Sequence, residues 1–386
     1  MGAHRLAAVS VFDQLVGQEH VTEVLTRAVA DPRSMTHAWL FTGPPGSGRS
    51  VAARAFAAAL QCPDGGCGTC NTCRQVMAGT HPDVTLLATE KVVIDIRQVR
   101  DLVSTAARSP SQGRWRVVII EDADRMVERT SNVLLKSIEE PGPQTVWLLC
   151  APSPEDVIVT IRSRCRHLGL RIPPVEAVAA LLESRDGIPH DQAVAAAPEA
   201  QSHVGMARRL ATDPDAQARR RAIMALATGI RGVGDAVFGA QELVDRAAQD
   251  AQDVAAARDA AERAELLRAL GVEEGERVPP HVRAQVRELE ENQKRRATRV
   301  QRDSLDRAMV DLLSFFRDVF AIQVGAGVGL VNVDLADDVA ALAAATSPEQ
   351  TLRRVDAIEE ARVRLAGNVT PLLAVESMLI SLRPQG

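Results

Sequence analysis

Tyrosine is absent from the 386 residues, and Phe and Trp together bring the aromatic share to only 3%. A chain this poor in rings, and dominated by Ala, Val, Leu and Arg, suits packed helices better than a sandwich of twisted sheets. Long apolar runs are missing too. No uninterrupted stretch approaches the ~20 residues that a membrane-spanning helix requires. Met1–Ser10 carries His4 and Arg5 with no apolar run behind them, so nothing there reads as an export signal. The expectation is a soluble, cytoplasmic chain with no membrane partner. Charge of one sign is also lacking: Lys and Arg number 45 against 50 Asp and Glu, a net −5. That balance supplies no global basic field, so any DNA contact has to come from a local patch or an assembled complex. The length allows two or three domains, each with its own core.

Cysteine is scarce but clustered. Cys62, Cys67, Cys70 and Cys73 form C-x4-C-x2-C-x2-C in a Gly- and Thr-rich stretch, while Cys150 and Cys165 stand apart. In a cytosolic chain, four close cysteines point to metal rather than to disulfides. Zinc prefers four thiolates in a tetrahedron, and short knuckles present two sulfurs on one side of the ion. Four thiolates also suit an iron–sulfur cluster, which the spacing excludes only weakly. Either way no position is left open for water, so the metal is structural. Cys150 and Cys165 are expected to be free thiols packed as small apolar groups.

From Val11 to about Ile172, strand and helix signals alternate. Trp39–Phe41, Arg116–Ile120 and Val146–Cys150 are short apolar runs, with helical patterns at Ser50–Leu60 and Val127–Glu140 between them. Such alternation predicts an α/β domain, residues 1–172, with a parallel sheet covered by helices on both faces. Pro173-Pro174 closes it, because paired prolines continue neither strand nor helix. Short helices interrupted near Gly187-Ile188-Pro189 then predict a small helical domain, residues 173–212. After Asp213-Pro214 everything reads helical to residue 386. Two long helices, Gln249–Leu270 and Val282–Phe320, flank a turn at Gly275–Pro280. Between Asp250 and Glu276 there are eight acids against three bases, and between Arg283 and Arg307 eight bases against five acids. The plain expectation is an antiparallel hairpin, about residues 249–310, whose arms attract each other. The sharper one is an arm that docks a partner or tracks DNA.

Gly43-Pro44-Pro45-Gly46-Ser47-Gly48-Arg49-Ser50 has the spacing of a phosphate loop, G-x-x-x-x-G-K-[ST], with Arg in the lysine position. Glycines let backbone N–H groups turn inward and approach phosphate oxygens, and the following helix N-terminus adds its own donors. Ser50 occupies the position whose hydroxyl meets magnesium. Arg49 keeps the charge but has a wider, planar head than lysine. The partner motif is shifted as well: Val117–Ile120 is followed by Glu121-Asp122, where the usual order is Asp to hold magnesium and then Glu to polarise water. An ATPase with both changes should be slow at best.

These motifs, together with Val16-Gly17-Gln18, Ala78–Asp83, Asn132–Pro141 and Ile161-Arg162-Ser163-Arg164-Cys165, resemble the bacterial DNA polymerase III clamp-loader subunits, an AAA+ family. The resemblance covers about the first 170 residues; the helical remainder is similar in layout, and the charged hairpin looks like an insertion. It implies an AAA+ module with a zinc-knuckle insertion at 62–73, a helical lid and an all-α collar. The sequence is similar to the delta-prime branch more than to the gamma/tau motors, which keep Lys in the loop, Asp-Glu after the strand and a Thr where Cys150–Pro154 stands here.

The resemblance further implies a ring that loads the polymerase's sliding clamp onto primer–template DNA with ATP. Partners would be gamma/tau and delta subunits. In that setting Val16, Gly17, Gly43, Gly46, Ser47, Gly48, Arg49, Ser50, Glu121, Asp122 and Arg208 form a degenerate nucleotide site. Arg208 lies in Gly205-Met206-Ala207-Arg208, similar to the lid segment that offers an Arg to the phosphates. Zinc on the four cysteines is structural, and the changes in the loop weigh against ATP or ADP with magnesium in this subunit. Arg164 would act as a finger in a neighbour's ATP site. Three other functions remain open: a motor ATPase of the gamma/tau kind, a non-catalytic scaffold, and a protein that binds DNA through its basic arm.

Overall fold

The computed structural model describes residues 10–89, 93–270, 279, 283–367 and 369–383. The chain divides into two compact units, Met1–Thr212 and Asp213–Gly386. Of the Gly275–Pro280 turn, only Pro279 lies within the described residues. Among these residues no helix is long and apolar enough to cross a membrane.

The first unit is built on five parallel strands: β1 (Ala38–Thr42), β2 (Val84–Leu87), β3 (Arg116–Ile120), β4 (Thr145–Ala151) and β5 (Arg166–Gly169). Their order is β2-β3-β4-β1-β5, with Phe41 opposite Cys150 and Ile120 opposite Leu149. Helix α1 (Glu19–Ala30) precedes the first strand, and between the strands run α2 (Arg49–Gln61), α3 (Asn71–Met77), α4 (Ile96–Ala106), α5 (Glu128–Glu139) and α6 (Val159–Arg162). The central strands are buried along their whole length, because helices cover both faces and alternate side chains serve two cores. Trp39, Phe41, Val117, Ile119, Leu148 and Cys150 join Phe56 and the alanines of α2 on one face. Leu40, Val118, Ile120, Trp147 and Leu149 meet Leu102, Leu134 and Ile138 on the other. The alanine run of α2 lets that helix lie close to the sheet, and Trp39 meets Phe56 edge to face at 5.0 Å.

One buried carboxylate fixes the loop ahead of β3. Asp83 accepts hydrogen bonds from the amides of Ser111, Gln112 and Gly113, each at 2.7 Å, and pairs with Arg116 at 3.0 Å. Burial alone would raise its pKa, but these donors hold the carboxyl down at about 2.

After Pro173-Pro174 come α7 (Val175–Asp186), α8 (His190–Glu199) and α9 (Val204–Thr212). Gly187, with φ of 66°, ends α7 in the left-handed conformation that glycine adopts without strain. The second unit is all helical: α10 (Pro214–Gly229), α11 (Val233–Ala269), α12 (Arg283–Gln323), α13 (Ala336–Ala345), α14 (Pro348–Ala366) and α15 (Pro371–Leu382). Prolines at the first positions of α10, α14 and α15 suit helix starts, where no N–H is needed. Its core gathers Leu305, Met309, Leu312, Phe315, Phe316 and Val319 of α12 against Ile358, Leu365, Val375 and Leu379. Beyond that core α11 and α12 run on as the charged hairpin. There Arg296 of α12 binds Asp259 and, at 2.6 Å, Glu262 of α11, which is the plain expectation for arms of opposite charge. Arg296 and Arg258 hold the Glu262 carboxyl down at about 2.

Candidate functional site

The phosphate loop connects β1 to α2, as its chemistry requires. Its glycines have φ values that L side chains rarely adopt: 152° at Gly43, 85° at Gly46 and 92° at Gly48. A β-carbon on Gly43 would lie 2.7 Å from the Leu170 carbonyl oxygen, so glycine is needed there for space as well as for φ. Gln18 is buried beside the loop. Its Nε2 donates to the Arg171 carbonyl at 2.6 Å and the Ser47 carbonyl at 3.3 Å, and its Oε1 accepts from the Arg171 amide at 3.1 Å. Gly17, with φ of 68°, packs so tightly on the ring of Pro174 that a β-carbon would come within 2.7 Å of it. Val16-Gly17-Gln18 is thereby tied both to the loop and to the segment Arg171–Pro174. Val16 itself is half-buried, as are Arg49 and Ser50 at the start of α2.

Two buried polar atoms in the loop lack a hydrogen-bond partner: Ser47 Oγ and Arg49 Nη1. Unmade hydrogen bonds in buried groups cost on the order of 1–3 kcal/mol each, and both are donors of the kind that phosphate oxygens accept. On that ground the loop still fits a phosphate. The loop residues Gly46, Ser47, Gly48, Arg49 and Ser50 would hold a bound ATP or ADP.

The acids after β3 are engaged otherwise. Both Nε and Nη2 of Arg54, on α2, donate to the same oxygen of Glu121, at 3.1 and 2.8 Å. Asp122 faces Arg125 at 3.7 Å. Burial raises the pKa of Asp124, which also feels Asp122. Cys150 and Cys165 are free thiols; burial pushes the thiol of Cys150 up and that of Cys165 up to about 12. On α9, Arg208 pairs with Asp186 of α7 at 3.7 Å and is 61% exposed. Between α8 and α9, His203 meets the loop: a β-carbon on Gly46 would lie 2.8 Å from its Cβ, Cγ and Cδ2.

Arg164 follows α6 on the surface. Its Nη2 pairs with Glu139, the last residue of α5, at 2.6 Å, and its Nη1 donates to the Thr160 carbonyl at 2.8 Å. These bonds steady an arginine that is 39% exposed and lies far along the chain from the loop.

The four clustered cysteines converge. Their sulfurs all lie within 4.8 Å of one another, with Cys62 Sγ 3.7 Å from Cys67 Sγ and 3.8 Å from Cys70 Sγ. A tetrahedron with zinc–sulfur bonds of about 2.3 Å has edges of about 3.8 Å, so the donor set fits zinc. The amide of Cys73 donates to Cys70 Sγ at 3.4 Å, where Cys70 caps α3. Backbone amides at Thr69 and Cys70 hold the Cys67 thiol down at about 6, toward the thiolate that a metal needs.

Spacing alone did not single out Arg54, Asp124, Glu139 or His203 as parts of these sites. Arg54 and Glu121 lie 67 residues apart, and nothing in either local pattern links them.

Two family models match the chain, both for DNA polymerase III: "delta subunit" over residues 17–174 and "delta subunit, C terminal" over residues 300–383. The DNA polymerase III subunit delta' of Pseudomonas aeruginosa is 40% identical over 147 residues, 36% of this chain and 45% of that protein. The delta' of Bacillus subtilis is 31% identical over 176 residues, 45% and 53% of the two chains. The subunit gamma/tau of Mycobacterium bovis is 35% identical over 190 residues, 47% of this chain and 32% of that one. The chain thus matches a third to a half of the length of these relatives. With matches to the DNA polymerase III delta models over residues 17–174 and 300–383, and a parallel sheet whose first strand leads into a phosphate-loop sequence, this chain belongs with the DNA polymerase III subunits, among which delta' and gamma/tau are similar to it.

Proposed function

We propose that this chain is a delta-prime-type subunit: a partner that helps ATP-dependent clamp loading while hydrolysing little or no ATP itself. The observation that carries this reading is the pairing of Glu121 with Arg54. In a working ATPase the first acid after the strand holds magnesium. Here that acid is a glutamate whose nearer oxygen already takes two N–H donors from one guanidinium. Arg49 in the lysine position and Asp122 in the glutamate position weaken the same site further. Phosphoryl transfer depends on placed cations and a positioned water, so losing both acids' roles removes most of the catalysis.

A subunit of this kind acts on its neighbours. Arg164 is the residue we assign to that task, as a finger supplied in trans to a gamma/tau subunit. Its planar fork contacts two phosphate oxygens at once and never loses its charge. Zinc on the four cysteines serves the fold. The delta subunit, the sliding clamp and primer–template DNA are the further partners in this reading, met through the assembled complex in the cytoplasm. The helical second unit is the part assigned to the collar.

A motor role is the second reading, favoured by the identity to gamma/tau over 190 residues. ATP turnover separates the two. The purified chain should hydrolyse ATP no faster than a Glu121→Ala variant, and Arg49→Lys alone should not restore activity, because Glu121 and Asp122 stay misordered. Robust turnover by the unaltered chain would establish the motor instead.

A further inference from the structure

The loop contains donors suited to phosphate, yet a side chain of the same unit stands on it. Glycine occupies position 46 so that a ligand can come close to the backbone. The group that comes close is the side chain of His203, whose Cβ and ring atoms Cγ and Cδ2 each lie 2.8 Å from where a β-carbon would be. Nothing larger than a hydrogen fits between Gly46 and that ring.

The ring is held there by the backbone beneath it. Gln201 and Ser202, just before it, have φ of 49° and 61°, the non-glycine residues with left-handed backbone among the described ones. Each such residue costs on the order of 1–2 kcal/mol, so the turn is kept only because its surroundings fix it. The end of α8 does so: the amides of Gln201, Ser202 and His203 donate to the carbonyls of Pro198, Ala197 and Ala200 at 2.8, 3.0 and 2.9 Å. On the far side, Nδ1 of His203 accepts from the Met206 amide at 3.2 Å, capping the first turn of α9. Ser202 is buried. The imidazole is therefore aimed at the loop by a strained turn behind it and a helix start ahead of it. In the same loop Ser47 Oγ and Arg49 Nη1 have no hydrogen-bond partner, so His203 does not make the bonds that a phosphate would make.

We propose that His203 is the residue that decides whether this subunit takes a nucleotide: its ring competes with the phosphates of a nucleoside di- or triphosphate for the mouth of the loop. Binding then requires the lid turn at 201–203 to withdraw. The apparent affinity of such a site is its intrinsic affinity multiplied by the fraction of time that the lid is open. The proposal rests on the phosphate-loop reading and is independent of any role for Arg164.

Titration of the full-length chain with ADP and Mg²⁺, followed by calorimetry, tests it. The unaltered chain should bind weakly. His203→Ala should bind ADP about tenfold more tightly or better. His203→Asn keeps a short acceptor for the Met206 amide while removing the ring, so it should also bind more tightly and covers the case in which the alanine variant does not fold. Adding Arg49→Ala to either variant should abolish the gain, which places the binding at the loop. Two results would overturn the proposal: neither variant binding ADP more tightly than the unaltered chain, or a gain that survives Arg49→Ala.

Discussion

Asp83 illustrates how one side chain can fix a stretch of chain that has no regular structure. It is fully buried, yet its carboxylate is met by three amides, the Ser111 hydroxyl and the Arg116 guanidinium. Removing one member of a buried pair leaves the other charged and unmatched, at a cost of about 3–5 kcal/mol. Asp83→Asn should therefore lower the unfolding midpoint of the first unit markedly at pH 7, as read by thermal or urea denaturation. The folded pKa of about 2 lies below the ~3.9 of an unfolded aspartate, so this stabilisation is complete above about pH 5 and lost as the pH falls. About half of the ionisation-linked part should be gone by pH 3. A gap between the two proteins that is as wide at pH 3 as at pH 7 would show that the charge is not what matters. The sequence marked Asp83 only as part of Ala78–Asp83. Its partners at 111–113 are separated from it by 28 to 30 residues and contribute mainly backbone amides, which leave no trace in residue types. The same holds for Gln18, whose partner Arg171 is 153 residues away and gives its backbone rather than its side chain.

At the scale of elements, legibility followed burial. Strands β1, β3 and β4 are buried throughout and read as short apolar runs; β3 begins and ends where its pattern does. β2 and β5 did not show. β2, Val-Thr-Leu-Leu, is half-exposed at one edge of the sheet. β5, Arg-His-Leu-Gly, buries only Leu168 at the other edge, so its composition looks like a loop. The opposite charge of α11 and α12 was readable in composition, and Arg296 of α12 pairs with Asp259 and Glu262 of α11. The convergence of the four cysteines was readable from their type and spacing, and their sulfurs lie within 4.8 Å of one another. Elemental analysis of the purified chain should find one zinc per molecule and no acid-labile sulfide. Cys70→Ser should release the metal while leaving the far-ultraviolet circular dichroism nearly unchanged, since Cys70 is only partly buried and packs against the core rather than within it. Iron with sulfide, or a protein that keeps its zinc after Cys70→Ser, would contradict the four-thiolate site.

The whole chain combines a phosphate-loop sequence, with Glu121 after β3 paired to Arg54, and a surface arginine, Arg164, paired to Glu139. On the reading proposed above, these two features belong together because the chemistry occurs in another subunit. That claim is tested most directly by the ATPase rate of a loader reconstituted with gamma/tau, delta and this chain carrying Arg164→Ala. A trans finger typically contributes about 10³–10⁵ in rate at the site it serves. Hydrolysis at the adjoining gamma/tau site should therefore nearly stop. The total clamp-stimulated rate should fall only in part, because other sites keep their own fingers, while assembly and zinc content stay unchanged. Arg164→Lys should rescue little, since an ammonium lacks the fork. An unchanged rate of ATP hydrolysis and clamp loading in the Arg164→Ala complex would contradict the account and leave this chain a scaffold.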